Sequence, residues 1–194
     1  MLHQLFAVLL AALCVSACQT PPPPPVKPTF YEDLGRPGAS VDQQKAAEMI
    51  SGYRARFGVA PVRLDPELSR IAADYARQMA EADKMTHSLS DASRIGARLK
   101  ANGYAFDAAG ENIAAGYRTL ADAFSGWRDS PAHDRGMKDA DMTVVGIGTA
   151  YNPNSKYKVF WCLILARPKG ETLGAPGVGP SPTLVAPAEA APVE

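Results

Sequence analysis

Apolar residues recur along this chain at two different spacings, and the spacing changes partway through. Over residues 42–57, Ala46, Met49, Ile50, Tyr53 and Phe57 fall on one face at helical spacing. Asp42 suits the N-cap of that helix, and Gly58 suits its stop. Asp65-Pro66-Glu67 supplies a second start: a capping acid, a proline in the first turn, and a carboxylate at the positive end of the dipole. That helix is expected to run to about Lys84. Its stripe is Leu68, Ile71, Ala72, Tyr75, Ala76, Met79 and Ala80. Thr86-His87-Ser88 falls in a loop, 92–101 reads as a third helix, and Asn102-Gly103 stops it. Residues 110–114 read as a short strand. A helix over 119–129 places Leu120, Ala123, Phe124 and Trp127 on one face, with Ser130-Pro131 ending it. Residues 143–151 and 156–166 are rich in Val, Ile, Tyr, Phe and Trp, as strands are, and Asn152-Pro153-Asn154-Ser155 joins them as a turn. Helices early and an antiparallel sheet late make an α+β domain.

The two ends of the chain follow neither spacing. Residues 5–15 are an apolar run of about 11, short of the roughly 20 needed to span a bilayer. The run suits the central part of an export signal, although Met1-Leu2-His3-Gln4 carries no Lys or Arg. It leads into Val15-Ser16-Ala17-Cys18, which resembles the lipobox of bacterial lipoproteins. The resemblance implies cleavage after residue 17 and acylation of Cys18, an anchor to which each buried methylene adds about 0.8 kcal/mol. The alternative is an ordinary signal cut near Ala17. Gln19 after the cysteine implies, by the same resemblance, the outer membrane. Prolines 21–25 and Pro28 favour an extended tether. The expected plan is a signal at 1–17, an anchored proline-rich linker at 18–41, one domain at 42–168, and an Ala/Pro-rich tail without a core at 169–194.

Composition narrows the partners. Lys plus Arg and Asp plus Glu are both 20, for a net charge of zero, so the basic excess a nucleic-acid binder needs is missing. Three cysteines exclude a dense disulfide framework. With Cys14 removed and Cys18 acylated, Cys162 is left as the one free thiol. It is expected to be buried and inert, and the domain must be stable from its apolar core.

Few residues outside the stripes could carry chemistry. His87 and His133 are expected on loops just after helices, with Glu111 between them in sequence. If they converged, two imidazoles and a carboxylate could bind zinc with water as fourth ligand, or run acid–base chemistry near neutral pH. Spacing alone does not show convergence, and local hydrogen bonds that fix loops would account for the same residues. Asn112 is expected to bond backbone, and Trp127 to belong to the core. Ser130 is first a capping or loop residue; a role as nucleophile beside His133 lacks a visible third partner. Gly146 and Gly148 lack the following helix of a phosphate loop and are expected to let a strand pack closely.

Four motifs in order change this picture. Thr86-His87-Ser88, Gly110-Glu111-Asn112-Ile113-Ala114, Trp127-Arg128-Asp129-Ser130-Pro131-Ala132-His133 and Val145-Gly146-Ile147-Gly148 resemble those of the CAP superfamily, also called SCP or PR-1-like. The Trp127, Ser130 and His133 spacing is similar to its bacterial branch. The resemblance implies an α-β-α sandwich with a central antiparallel sheet, and a cleft in which His87, Glu111 and His133 match family positions. The family's second glutamate is replaced by Ser130, with Asp129 beside it as an imperfect substitute. His87, Glu111 and His133 would form at most a weak zinc site, and the cleft, with Asn112 and Ser130, would take a lipid or other envelope ligand. Catalysis is left open, and Glu111→Gln is expected to remove any turnover while leaving the fold intact. The alternatives are a surface scaffold that binds protein or peptidoglycan over a vestigial cleft, or a weak metal-dependent hydrolase. Oligomeric state is not set by the sequence.

Overall fold

The computed structural model describes residues 28–173; the expected export signal, Cys18, the proline run and tail residues 174–194 lie outside the described residues. Among the described residues five α-helices and four strands follow one another: α1 (Gln43–Ala55), β1 (Arg63–Leu64), α2 (Pro66–Glu81), α3 (Ile95–Ala101), β2 (Phe106–Ala115), α4 (Leu120–Arg128), α5 (Pro131–Met137), β3 (Val144–Tyr151) and β4 (Val159–Pro168). The strands form one sheet in the order β1-β3-β4-β2. The β2–β4 and β3–β4 pairs are antiparallel, as expected. β1 has no counterpart in the sequence pattern; it is two residues long and parallel to β3, which makes the sheet mixed.

Helices cover both faces of the sheet, and β4 shows why. Phe160, Cys162, Ile164 and Ala166 pack with the α2 stripe and Leu99 of α3. Trp161, Leu163 and Leu165 pack with Ala46, Ile50, Leu120, Trp127 and Met137 from α1, α4 and α5. A strand buried on both sides reads as a continuous apolar run, which is what Val159 to Ala166 is. The α+β, α-β-α sandwich reading therefore holds. Gly146 and Gly148 are where α2 lies closest to β3. A Cβ on either would fall inside the space of Leu68 or Ala73, and the Ser69 hydroxyl is near enough to accept from Ile147 N at 3.3 Å.

The boundaries differ from expectation for local reasons. Asp42 caps α1 by accepting from Lys45 N, and Asp65 caps α2 by accepting from Glu67 N and Leu68 N. But α1 stops at Ala55, so Phe57 leaves the core face. It is 53% exposed, with Tyr53 at 5.1 Å between ring centroids. α2 stops short of Lys84 because Asp83 takes a left-handed φ of 46°, which Asp tolerates better than most residues. The expected helix at 92–101 divides into a 3-10 turn, Asp91–Ser93, and α3, with Arg94 extended between them. β4 begins at Val159, not at 156, because Lys158 has φ 64°.

Candidate functional site

Alternation in β2 sends its neighbouring polar residues to opposite faces. Glu111 points toward α2 and α3, and Asn112 toward α5. Asn112 is 3% exposed and donates through Nδ2 to the carbonyl of His133 at 3.1 Å. It is a strut between the sheet and the α5 backbone, in line with the structural role expected of it.

His133 is not on a loop. Pro131 opens α5 at its first turn, so Ser130-Pro131 ends one helix and starts the next, and His133 lies inside α5. Ser130 occupies the N-cap, where its side chain makes no capping bond. No hydrogen bond joins Ser130 to His133 among the described residues, and the nucleophile arrangement is not formed.

The far end of α5 is fixed by Arg54, a residue that no sequence motif singles out. Arg54 is fully buried. Its guanidinium donates to the carbonyls of Ala60 at 2.6 Å, Met137 at 2.9 Å, Asp139 at 2.8 Å and Met142 at 2.9 Å. Met137 is the last residue of α5, where the helix presents unpaired carbonyls and the negative end of its dipole. Burial pushes the Arg54 guanidinium down from its ordinary value, and Asp139 pulls it back up. A signal is present in the sequence: Arg54 follows Ile50 by four residues, on the apolar stripe of α1.

His87 is carried by the loop after α2. Tyr75 OH donates to the Thr86 carbonyl at 2.7 Å, and Ser88 N donates to the Thr86 hydroxyl at 3.2 Å. The His87 side chain is 58% exposed, and its Nδ1 stands 2.9 Å from Glu111 Oε1. The His87 and His133 rings lie 6.5 Å apart between centroids, tilted by 42°. His87, Glu111 and His133, from a loop, a strand and a helix, therefore do converge.

Glu111 is not free within that group. Its side chain is 3% exposed. Oε2 accepts from Arg98 Nη2, and Cys162 Sγ lies 3.4 Å from the same oxygen. Arg98 is itself 6% exposed, sits 3.5 Å over the centre of the Tyr75 ring, and donates to the Ser93 carbonyl at 2.5 Å. Arg98 too escapes the sequence patterns, although it lies one turn from Ile95 and next to buried Leu99. Burial first, and then the Glu111 charge, push the Cys162 thiol well above its usual range, so it is inert as expected.

These contacts bear on zinc. A 2-His, 1-carboxylate site needs a carboxylate lone pair facing the metal. Here one oxygen of Glu111 already meets His87 Nδ1 and the other meets a guanidinium, which would repel a cation. Among the described residues no group of three or more His, Cys, Asp and Glu is arranged to hold a metal ion. The expected two-histidine, one-glutamate set converges, but its carboxylate is already engaged by His87 and Arg98, so Glu111 is not free to be the third ligand. Asp129 does not fill the place of the missing acid either: Arg128 holds it at 2.8 Å and keeps its carboxyl below the usual range.

Burial, and next the neighbouring His87, push His133 below its ordinary 6.5. A histidine with a folded pKa below its unfolded pKa binds fewer protons when folded, so stability falls as the pH drops between the two values. The melting temperature should be level above about pH 7 and decline below about pH 6.5. His133→Gln should flatten part of that decline. An equal acid slope in both proteins would show that His133 does not cause it.

A family model described as the Cysteine-rich secretory protein family, CAP, matches residues 47–165, more than half of the chain. The uncharacterized protein YkwD of Bacillus subtilis is 26% identical over 109 residues, which cover 56% of this chain and 42% of that protein. The uncharacterized membrane protein YlbC of the same species is 25% identical over 109 residues, covering 56% and 32%. The chain thus spans less than half the length of these relatives. Among solved structures, an outer surface protein of Borrelia burgdorferi superposes with a TM-score of 0.59 at 19% identity, covering 68% of this chain and 99% of that one. An extracellular protein containing a SCP domain from Bacillus anthracis superposes with a TM-score of 0.57 at 22% identity, covering 64% and 40%. At these identities the two structures speak for the fold.

Proposed function

The chain belongs to the cysteine-rich secretory protein (CAP) family, and from that premise we propose that it is an exported, membrane-anchored binding protein whose His87–His133 cleft takes a lipid or other ligand of the cell envelope. The observation that carries this reading is the state of Glu111. A hydrolase of this design needs the carboxylate as a base or as a metal ligand. Here Glu111 is buried, paired with Arg98, and used to orient His87. What the cleft offers a visitor is two imidazole edges, one of them largely exposed. That suits recognition of polar groups on a ligand better than activation of water. Export and anchoring rest on the Val15-Ser16-Ala17-Cys18 run. Of the similar proteins, one is extracellular, one is of the outer surface and one is of a membrane, which agrees with that direction.

Native mass spectrometry tests the binding. The protein starting at Gln19 would be incubated with an extract of its own cell envelope. A discrete adduct is expected, lost in His87→Ala and weakened in His133→Ala. No adduct, or one indifferent to both changes, would remove the cleft as a binding site and leave the surface scaffold. Cys18→Ser should in addition abolish incorporation of labelled fatty acid into the full chain. Incorporation that survives the change would count against the acyl anchor.

A further inference from the structure

The chain enters the domain beside a groove. Pro28 has φ −57° and ψ 140°, close to polyproline II geometry. Its carbonyl accepts from Tyr31 N at 3.0 Å, and the Thr29 hydroxyl donates at 2.8 Å to Asp42, the N-cap of α1. The entry point is therefore the N-terminal end of α1. The turn at Thr29–Tyr31 touches both α1 and α4. Five prolines, residues 21–25, stand just upstream of it.

The groove lies between α1 and α4 and has a volume of about 300 Å³. Met49, Gly52, Tyr53 and Arg56 line it from α1, and Phe124 and Arg128 from α4. The Tyr53 and Phe124 rings stand 5.3 Å apart between centroids at 86°, and form an aromatic corner. Arg56 is exposed at the C-terminal end of α1 and has no ion-pair partner among the described residues. Gly52 lies inside α1 and is exposed, and a Cβ there would meet no atom within 4 Å. Glycine weakens a helix interior, and no contact among the described residues asks for it. What its missing side chain allows is the close approach of another backbone to α1.

The proline run matches this groove in length. Along α1, Met49 lies about 10 Å from Asp42 and Arg56 about 21 Å, at about 1.5 Å per residue. Along polyproline II, Pro25 lies about 9 Å from Pro28 and Pro21 about 22 Å, at about 3.1 Å per residue. Turned back along α1, the run covers the groove from Met49 to Arg56. It matches in chemistry as well. Proline rings pack against aromatic faces, and a polyproline II strand has no internal hydrogen bonds, so its carbonyls can accept from the two guanidiniums. Residues 19–26 carry no charge, so nothing in the run repels Arg56 or Arg128.

We propose that the groove between α1 and α4 is the docking site of the chain's own residues 21–25, laid antiparallel to α1 as a polyproline II strand. The tether is then a strap fixed to the domain. It delivers Cys18 to the C-terminal end of α1, beside α5: Tyr53 OH donates at 2.6 Å to Asp134, the neighbour of His133. With Cys18 acylated, a consequence that rests on the anchor proposed above, the strap turns the end of the domain that carries α5 toward the bilayer.

Nuclear Overhauser contacts test the docking in residues 18–194, the chain expected after signal cleavage, with Cys18→Ser so that the result does not depend on acylation. Contacts from proline-ring protons to the Tyr53 and Phe124 rings and to the Met49 methyl are expected. Replacing prolines 21–25 with serine leaves the domain's own residues untouched, and should erase these contacts and shift the Gly52 amide. Gly52→Phe fills the groove from a position with open space above it. It should erase them too, with the resonances of α2 and β4 unmoved. In a mixture of labelled and unlabelled chains the contacts should stay within one chain. No proline contact to these three side chains, or contacts that survive Gly52→Phe, would overturn the proposal. So would contacts found only between labelled and unlabelled chains, which would make the occupant a second copy. Fatty-acid incorporation at Cys18 tests the anchor separately.

Discussion

Replacing Arg54 with methionine should cost the domain about 4 kcal/mol of stability, a large share of the roughly 5–15 kcal/mol that holds a typical domain together. Methionine keeps much of the stem volume, so the effect isolates the guanidinium. Four carbonyls, of Ala60, Met137, Asp139 and Met142, would lose their donor, those of Met137 and Met142 in buried contacts and those of Ala60 and Asp139 in partly buried ones. Each buried acceptor left unpaired costs about 1–3 kcal/mol, and partial collapse recovers some of it. Lysine should rescue only part, because one ammonium cannot reach four carbonyls spread around a planar fork. Urea unfolding measures the loss. The ring resonances of His133 report the local consequence, because Arg54 holds the end of the helix that carries it. A loss below about 1 kcal/mol, with His133 unmoved, would mean that water reaches those carbonyls after all.

Arg54 also marks where reading the sequence fails. The stripes of α1, α2 and α4, the caps at Asp42 and Asp65, and the close packing at Gly146 and Gly148 follow from local rules, and all are legible. The family motifs order His87, Glu111 and His133, and the fold brings them together. What stays hidden are the residues that hold those three in place. Arg54 and Arg98 both lie on apolar faces, but an arginine is by default assigned to solvent. Burying one requires partners, and those of Arg54 lie 83 to 88 residues ahead in sequence for three of its four bonds. Ser130-Pro131 misleads for a different reason. Proline after a helix signals a stop, and proline at a first turn signals a start. Only the path of the chain between α4 and β3 decides that it is both. Lys158 and Phe57 are displaced by backbone and cap geometry that periodicity does not record.

The hidden arginine beside Glu111 changes what Glu111→Gln would do. From the motifs alone that substitution reads as a clean test of catalysis, silent toward the fold. The structure puts Arg98, 6% exposed, against the carboxylate, with the Tyr75 ring across its other side. A neutral amide would leave the guanidinium buried without its counter-charge, and breaking one side of a buried pair costs about 3–5 kcal/mol. Glu111→Gln should therefore lose about 3 kcal/mol in urea unfolding. Arg98→Met should lose a similar amount, because it leaves the carboxylate uncompensated. The double variant removes both charges, so it should be more stable than the two losses added together would allow, by about 2 kcal/mol. Strictly additive losses would show that the pair does not stabilise the fold through its charges. His87 would respond as well. Its Nδ1 now has a carboxylate at 2.9 Å, and an amide in that place can present either a carbonyl or an N–H, so the imidazole tautomer is no longer fixed. Loss of ligand in Glu111→Gln would then mix a weakened fold with a misoriented ring. His87→Ala avoids both problems, because that side chain stands largely in solvent and its removal leaves the Glu111–Arg98 pair intact.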